Sequence, residues 1–374
     1  MPKKKMLIFH QVLATYRIDQ FNLLNELFDL EVVYLYDSMQ GLKINQKILE
    51  EQCNFRFSYF LRGIKYGDRV FRFGIYKKVR QAKPDIIMSY EYSLATQYLL
   101  LLRSLGLIHQ QIGTMVDDSM DMCHNVQSKA RELVRNRTVK RVDFLVVMSH
   151  EVARFYRYKF SLDEQQIIVS PIVQLTERLR KEPDRVEAYA QNHVEKHNLR
   201  GKKILLFVGR FVPAKALPLF LNNISSILQE RVDTRLVLVG EGAEKEALNT
   251  IIKEKNIEDK VLFPGKYQAQ ELYGWYTSAS GFVLPSLFEP FGAVVNEALI
   301  FGLPVLCSRL AGATCLINTE NGLIFDPSDK EDTVQKLNSF MEKMKVVDDV
   351  SLTNKPPLIE DFRDDFRKEW KKLA

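Results

Sequence analysis

Only four cysteines occur in 374 residues (Cys53, Cys123, Cys307 and Cys315), and no two stand in a Cys-x-x-Cys pair. That excludes a zinc ribbon or a dithiol redox motif and leaves buried free thiols as the reading. Long hydrophobic runs are missing too. The most lipophilic stretch, Tyr98–Ile108, is too short to span a bilayer and carries Arg103 in its middle. The basic start, "MPKKKMLIFHQ", loses its apolar run at His10 and Gln11 and so fails as a signal peptide. There is no short-period repeat and no low-complexity tract. The only acidic cluster, "VDDSMD" (116–121), has no Asp-x-Asp after a strand, which argues against a metal site. These absences lead to the expectation of a globular, cytoplasmic protein.

Hydrophobic residues make up 46% and charged residues 27%, a balance that supports packed cores. The length suits two domains. Charge is unevenly placed. Residues 1–172 hold 25 Lys+Arg against 18 Asp+Glu, whereas 173–374 hold 28 against 29. A basic first half points to an anionic partner.

Short apolar runs alternate with helical spacings along the chain. "KKMLIFH" (4–10), "LEVVYLYD" (30–37), "PDIIMSYE" (84–91), "QIGTMV" (111–116), "VDFLVVMSH" (142–150) and "QIIVSPIV" (166–173) read as strands of one parallel sheet. One long helix is expected over about 125–139. Residues 174–200 are polar and helical and read as a connector. The alternation then restarts at "KILLFVGR" (203–210) and runs through "RLVLVGEG", "KVLFPG", "GFVLPS", "PVLCS" and "NGLIFDP". The result is α/β: an N-terminal domain over 1–173, a connector, and a C-terminal domain over 201–355. After Pro356-Pro357, an amphipathic helix is expected over 356–373, and its apolar face of Phe362, Phe366 and Trp370 needs something to cover it.

Ligands of open parallel sheets sit beyond the carboxyl ends of the strands, so loops leaving strands are the places to search. "SLFEPFGAVVNEAL" (286–299) follows one such strand. Glu289 lies on the loop, Pro290 suits a first helical turn, and Gly292 permits close approach. The amides of Phe291, Gly292 and Ala293 would head a helix and form an anion site, with Glu297 one turn deeper. Each acid by itself also reads as an ordinary helix-start or solvated residue. "FVGRFVPAK" (207–215) places Gly209, Arg210 and Lys215 at the same sheet edge, a fork and a point charge suited to a diphosphate. Gly240 and Gly242 close the next strand. In the first half, "FRFSYFLRGIKYGDRVFRFGIYKKVR" (55–80) interleaves aromatics with cations. Read as a helix, it puts Val70, Phe73 and Tyr76 on one face. That would be either a membrane-surface helix or a domain helix with snorkelling cations.

As an ordered set, Gly209-Arg210 with Lys215, Gly240-x-Gly242, Glu289-x7-Glu297, "GLPVLCSRLAGA" and "NGLIFDP" resemble family 4 retaining glycosyltransferases of GT-B fold. The resemblance covers roughly residues 200–330. It implies two Rossmann-like domains whose parallel sheets face each other across a cleft. It implies that Arg210 and Lys215 hold the diphosphate, Glu297 the ribose and Glu289 the donor sugar. No cofactor is implied; the nucleotide-diphosphate sugar is a substrate. The first domain departs from the family. Where many members carry a His, Val116-Asp117-Asp118 stands, and Asp117, Asp118 or His10 could take its place or serve only as loop residues or caps.

The expected activity is metal-independent hexosyl transfer with retention, to a saccharide or lipid-linked acceptor, in cell-surface polysaccharide or glycolipid synthesis. Arg210, Lys215 and the helix start would stabilise the leaving diphosphate. Expected partners are the nucleotide sugar, the acceptor and an anionic membrane surface on the inner face, with no nucleic acid. The competing readings are a basic membrane- or nucleic-acid-binding protein without catalysis, and a GT-B nucleotide-sugar epimerase.

Overall fold

The computed structural model describes residues 2–37, 46–66, 69–126, 128–172 and 174–374. It divides into two compact units, one of Met1–Gln174 with Asp361–Ala374, the other of Leu175–Glu360.

In the first unit a seven-stranded sheet is formed by β1 (Lys5–His10), β2 (Asp29–Tyr34), β3 (Arg56–Tyr59), β6 (Ile86–Tyr90), β7 (Gln111–Met115), β8 (Phe144–Val147) and β9 (Ile167–Val169). A separate antiparallel hairpin joins β4 (Gly63–Tyr66) to β5 (Arg69–Arg72). The sheet order is β3-β2-β1-β6-β7-β8-β9, with every pairing parallel. Strands covered on both faces should be continuously apolar. β8 (FLVV) is buried at every position, and β1 at every position after Lys5.

The second unit holds β10 (Lys203–Val208), β11 (Thr234–Val239), β12 (Val261–Gly265), β13 (Gly281–Leu284), β14 (Val305–Ser308) and β15 (Gly322–Phe325). Their order is β12-β11-β10-β13-β14-β15, again parallel throughout. In both sheets the order reverses at one point. The neighbours there are β1 and β6 in one and β10 and β13 in the other, so the loops after these strands flank a topological switch.

Several elements differ from expectation. Residues 55–80 are not one helix. Arg56–Tyr59 adds to the sheet edge beside β2, the β4–β5 hairpin follows, and a helix covers only Ile75–Ala82. The alternation of aromatic and basic residues has the two-residue period of a strand, and Gly74, at φ +94°, stops the strand before the helix. The helix expected over 125–139 covers Lys129–Val139, and a separate short helix, Met120–His124, precedes it. Ser119 and Ser128 each cap one by accepting an amide hydrogen bond. Residues 175–200 belong with the second unit. Helix Pro183–Lys196 packs on helix Ala269–Thr277 so closely that a Cβ on Gly274 would lie 2.8 Å from the Tyr189 side chain. The tail helix is shorter than 356–373, at Arg363–Trp370. It packs onto the first unit, with Trp370 edge-on to Phe28 and donating through Nε1 to Ser170 Oγ at 3.2 Å. All four cysteines are free, Cys123 and Cys307 buried but Cys315 exposed. No helix among the described residues is long and apolar enough to cross a membrane.

Candidate active site at the switch point of the second sheet

The loops after β10 and β13 are tied together. The amides of Leu287 and Phe288 both donate to the Ala214 carbonyl, at 3.0 and 3.2 Å. This joins Pro213–Lys215, a short 3₁₀ turn, to the segment carrying Glu289. Lys215 forms an ion pair with Glu289, and Ser286 Oγ donates to the same carboxylate at 3.4 Å. The two side chains are 17% and 12% exposed, so the pair is desolvated enough to hold its geometry and open enough to meet a ligand. Arg210 is exposed and makes no ion pair among the described residues.

Backbone approach explains the glycines. A Cβ on Gly240 would sit 1.9 Å from the Gly209 carbonyl oxygen, and one on Gly242 2.2 Å from that of Phe211. The loop bearing Gly209 and Arg210 therefore lies directly on the one leaving β11. Gly292 has φ +98° and caps helix Ala293–Ile300 without a side-chain acceptor. A Cβ there would meet Leu284 at 2.8 Å and Glu289 at 3.3 Å. The amides of Phe291 and Gly292 have no hydrogen-bond partner among the described residues. Together with the helix start at Ala293 they present donors and the positive end of a dipole. Phe291 itself is buried.

Glu297 is less open than expected. It is 8% exposed and accepts a hydrogen bond from the Tyr276 hydroxyl at 2.8 Å. Burial and then the Glu297 charge raise the Tyr276 phenol well above its ordinary pKa, so it remains the donor. Sequence reasoning missed Tyr276, whose partner lies 21 positions away. Gly312, in the stretch "GLPVLCSRLAGA", packs on the Glu289 loop. That residue's amide donates to the Glu289 carbonyl at 3.2 Å, and a Cβ on it would strike the Pro290 carbonyl at 2.2 Å.

In the first unit the acids after β7 are engaged internally. Asp117 receives both oxygens' hydrogen bonds from Arg17 Nη2, at 2.5 and 2.6 Å, and Arg17 is fully buried. Asp118 accepts from Tyr156 at 2.5 Å and Tyr92 at 3.3 Å. His10 is buried beside Phe21, Tyr34 and Tyr90. Burial first and the Arg17 charge second drive its pKa down to about 3, so the ring is neutral. A residue that no motif marked lies at this sheet's switch point. Glu91 follows β6 with φ +45°, a region that costs a non-glycine residue strain. Thr96 and Thr114 hydroxyls hold its carbonyl at 3.0 and 2.6 Å, and Arg131 stands 3.8 Å from its carboxylate. Burial, and then the charge of Asp117, push its carboxyl up to about 7. No local signal marks Glu91, because burial and backbone strain are tertiary properties.

The comparisons agree with this layout. Residues 190–352 match the family model described as glycosyl transferases group 1. An uncharacterized glycosyltransferase of Methanocaldococcus jannaschii is 34% identical over 35% of this chain, and a sulfoquinovosyl transferase of Arabidopsis thaliana 33% identical over 37%. The chain covers only 33% and 27% of those two relatives. Among solved structures, HepE of Anabaena in complex with UDP superposes with a TM-score of 0.73. It covers 99% of this chain and all of its own at 15% identity. A glycosyltransferase of Rickettsia africae gives 0.71 at 14% identity, covering 99% of both chains. Residues 190–352 thus match the glycosyl transferases group 1 model, and the two parallel-sheet units have the GT-B fold of these structural neighbours.

Proposed function

We propose that the protein is a glycosyltransferase that moves a hexosyl group from a nucleotide-diphosphate sugar to a saccharide or lipid-linked acceptor, with retention at the anomeric carbon. The observation that carries this reading is the Lys215–Glu289 pair beside the unpartnered amides of Phe291 and Gly292 at one switch point, with Arg210 exposed on the loop that leads to Lys215. When the sugar–phosphate bond breaks, negative charge grows on the diphosphate. Preorganised cations and amides stabilise that charge without reorganising. Lys215, held in place by Glu289, would meet the diphosphate with its remaining ammonium protons, and the Glu289 carboxylate would accept from a sugar hydroxyl. Glu297, steadied by Tyr276, would accept from the ribose. Gly209 and Gly240 would let the backbone approach the phosphates. Asp117, locked to Arg17, would shape the acceptor side.

The charge supplied by the protein makes a divalent metal unnecessary in this reading, so protein treated with a chelator should keep its turnover. The HepE structures hold UDP, glucose or UDP-glucose, which makes UDP the first nucleotide to test. A cytoplasmic site of action and a place in cell-surface polysaccharide or glycolipid synthesis belong to the same reading. Arg210→Ala should lower turnover by about 10²–10³-fold while leaving the fold intact, the cost of losing one preorganised donor to a developing charge. Near-normal turnover would remove Arg210 from the mechanism. The anomeric configuration of the first-formed product, read by NMR, tests retention.

A further inference from the structure

Fourteen large hydrophobic side chains are exposed among the described residues, and seven of them lie within 61–73 and 94–107 of the first unit. These two segments touch. Phe71 on β5 meets Tyr98 of helix Leu94–Ser104 edge-on, with ring centroids 5.2 Å apart. On that helix Leu94, Tyr98, Leu101 and Leu105 fall at spacings of four, three and four, one continuous stripe. Leu101 is 52% exposed and Leu105 63%, whereas Ala95, Leu99 and Leu102 on the inner side are buried. From the hairpin side, Ile64 is 62% and Phe73 52% exposed. Scattered exposed leucines need no explanation, but a clustered set marks an interaction surface.

Cations dominate the sequence around this patch. Residues 52–84 contain nine Lys/Arg and a single acid, Asp68, and residues 94–110 contain no acid at all. Arg62, Lys65, Lys77, Arg80 and Lys83 are exposed, and Asp143 is paired with Arg103 of the helix. A second copy of this chain would bring the same positive excess against itself. A nucleic acid would want stacking rings and has no use for leucines. An apolar stripe inside a predominantly cationic border fits the interface of a bilayer with anionic headgroups, where leucine enters the acyl boundary and lysine or arginine meets phosphate.

We propose that this face of the first unit, built from the β4–β5 hairpin and helix Leu94–Ser104, docks on an anionic bilayer and brings the enzyme to an acceptor that is itself lipid-linked. The docking stands on the surface alone; the acceptor class rests on the glycosyl-transfer reading. The test is vesicle flotation of the full chain at low salt, with phosphatidylcholine alone and with phosphatidylglycerol added. UDP affinity is measured in parallel in the absence of lipid. The wild type should float only with the anionic vesicles. Leu101→Ser with Leu105→Ser, and separately Lys77→Gln with Arg80→Gln and Lys83→Gln, should each reduce vesicle binding by about tenfold or more. Both variants should bind UDP like the wild type. Wild-type protein that stays with the unbound fraction, or a leucine variant that floats undiminished, would overturn the docking. So would a dimer in sedimentation that the leucine variant abolishes, which would assign the patch to a second copy. Vesicle binding without any nucleotide affinity would preserve the docking and sink the transfer reading instead.

Discussion

At the scale of single residues, two titratable groups near the first sheet's switch point, His10 buried and Glu91 half-buried, pull stability in opposite directions with pH. His10 has its folded pKa lowered from 6.5 to about 3. The unfolded chain therefore binds a proton that the fold refuses, and stability is lost as pH falls from about 6.5 towards 3. Glu91 has its folded pKa raised from 4.5 to about 7, against Asp117, Asp118, Arg131 and Tyr90. Here the fold keeps a proton that the unfolded chain gives up, so its contribution is present below 4.5 and is lost as pH rises through 7. Glu91→Gln should accordingly stabilise the protein more at pH 8 than at pH 4.5, as measured by urea unfolding at the two values. An equal effect at both would mean that the carboxyl is not held neutral in the fold. The placement of Arg210, Lys215 and Glu289 was legible in the sequence, because all three stand on loops leaving strands. The burial of Glu297 was not, since its Tyr276 partner comes from another helix.

At the scale of elements, the parallel strands were legible because burial on both faces leaves continuous apolar runs. β10 (KILLFV) and β13 (GFVL) lie where the runs "KILLFVGR" and "GFVLPS" are found. Residues 55–80 were not legible. The repeated spacing of three among Val70, Phe73 and Tyr76 imitates a helix face, while edge pairing with β2 and a glycine at positive φ decide for strands. The loops of the candidate site depend on backbone contact more than on side chains. Gly240→Ala would press a methyl group into the Gly209 carbonyl at 1.9 Å and strain a backbone at φ +142°. That change should cost about 2 kcal/mol or more of stability, visible in denaturant unfolding. It should also weaken nucleotide affinity by displacing Arg210. An unchanged midpoint would show that the two loops part without cost.

At the scale of the whole molecule, the second unit carries the family match and the proposed diphosphate site, while helix Arg363–Trp370 packs into the first. Trp370 is fully buried, and a run of hydrogen bonds leads inward from it. Its indole and Gln20 both donate to Ser170 Oγ, Arg17 donates to Gln20, and Arg17 closes on Asp117. Trp370→Ala should destabilise the first unit by about 3–5 kcal/mol, the usual cost of emptying so large a core site. The same change should loosen Asp117 and leave UDP affinity of the second unit untouched. The account as a whole rests on a pyrophosphate held by Arg210, Lys215 and the start of helix Ala293–Ile300. Isothermal titration of the full chain with UDP and GDP, for the wild type and for Arg210→Ala, tests it most directly. The account predicts saturable binding of a nucleoside diphosphate that falls about tenfold to a hundredfold in the variant, the loss of a charge-assisted hydrogen bond. Wild-type protein that binds neither nucleotide, or a variant that binds as tightly as the wild type, would contradict it.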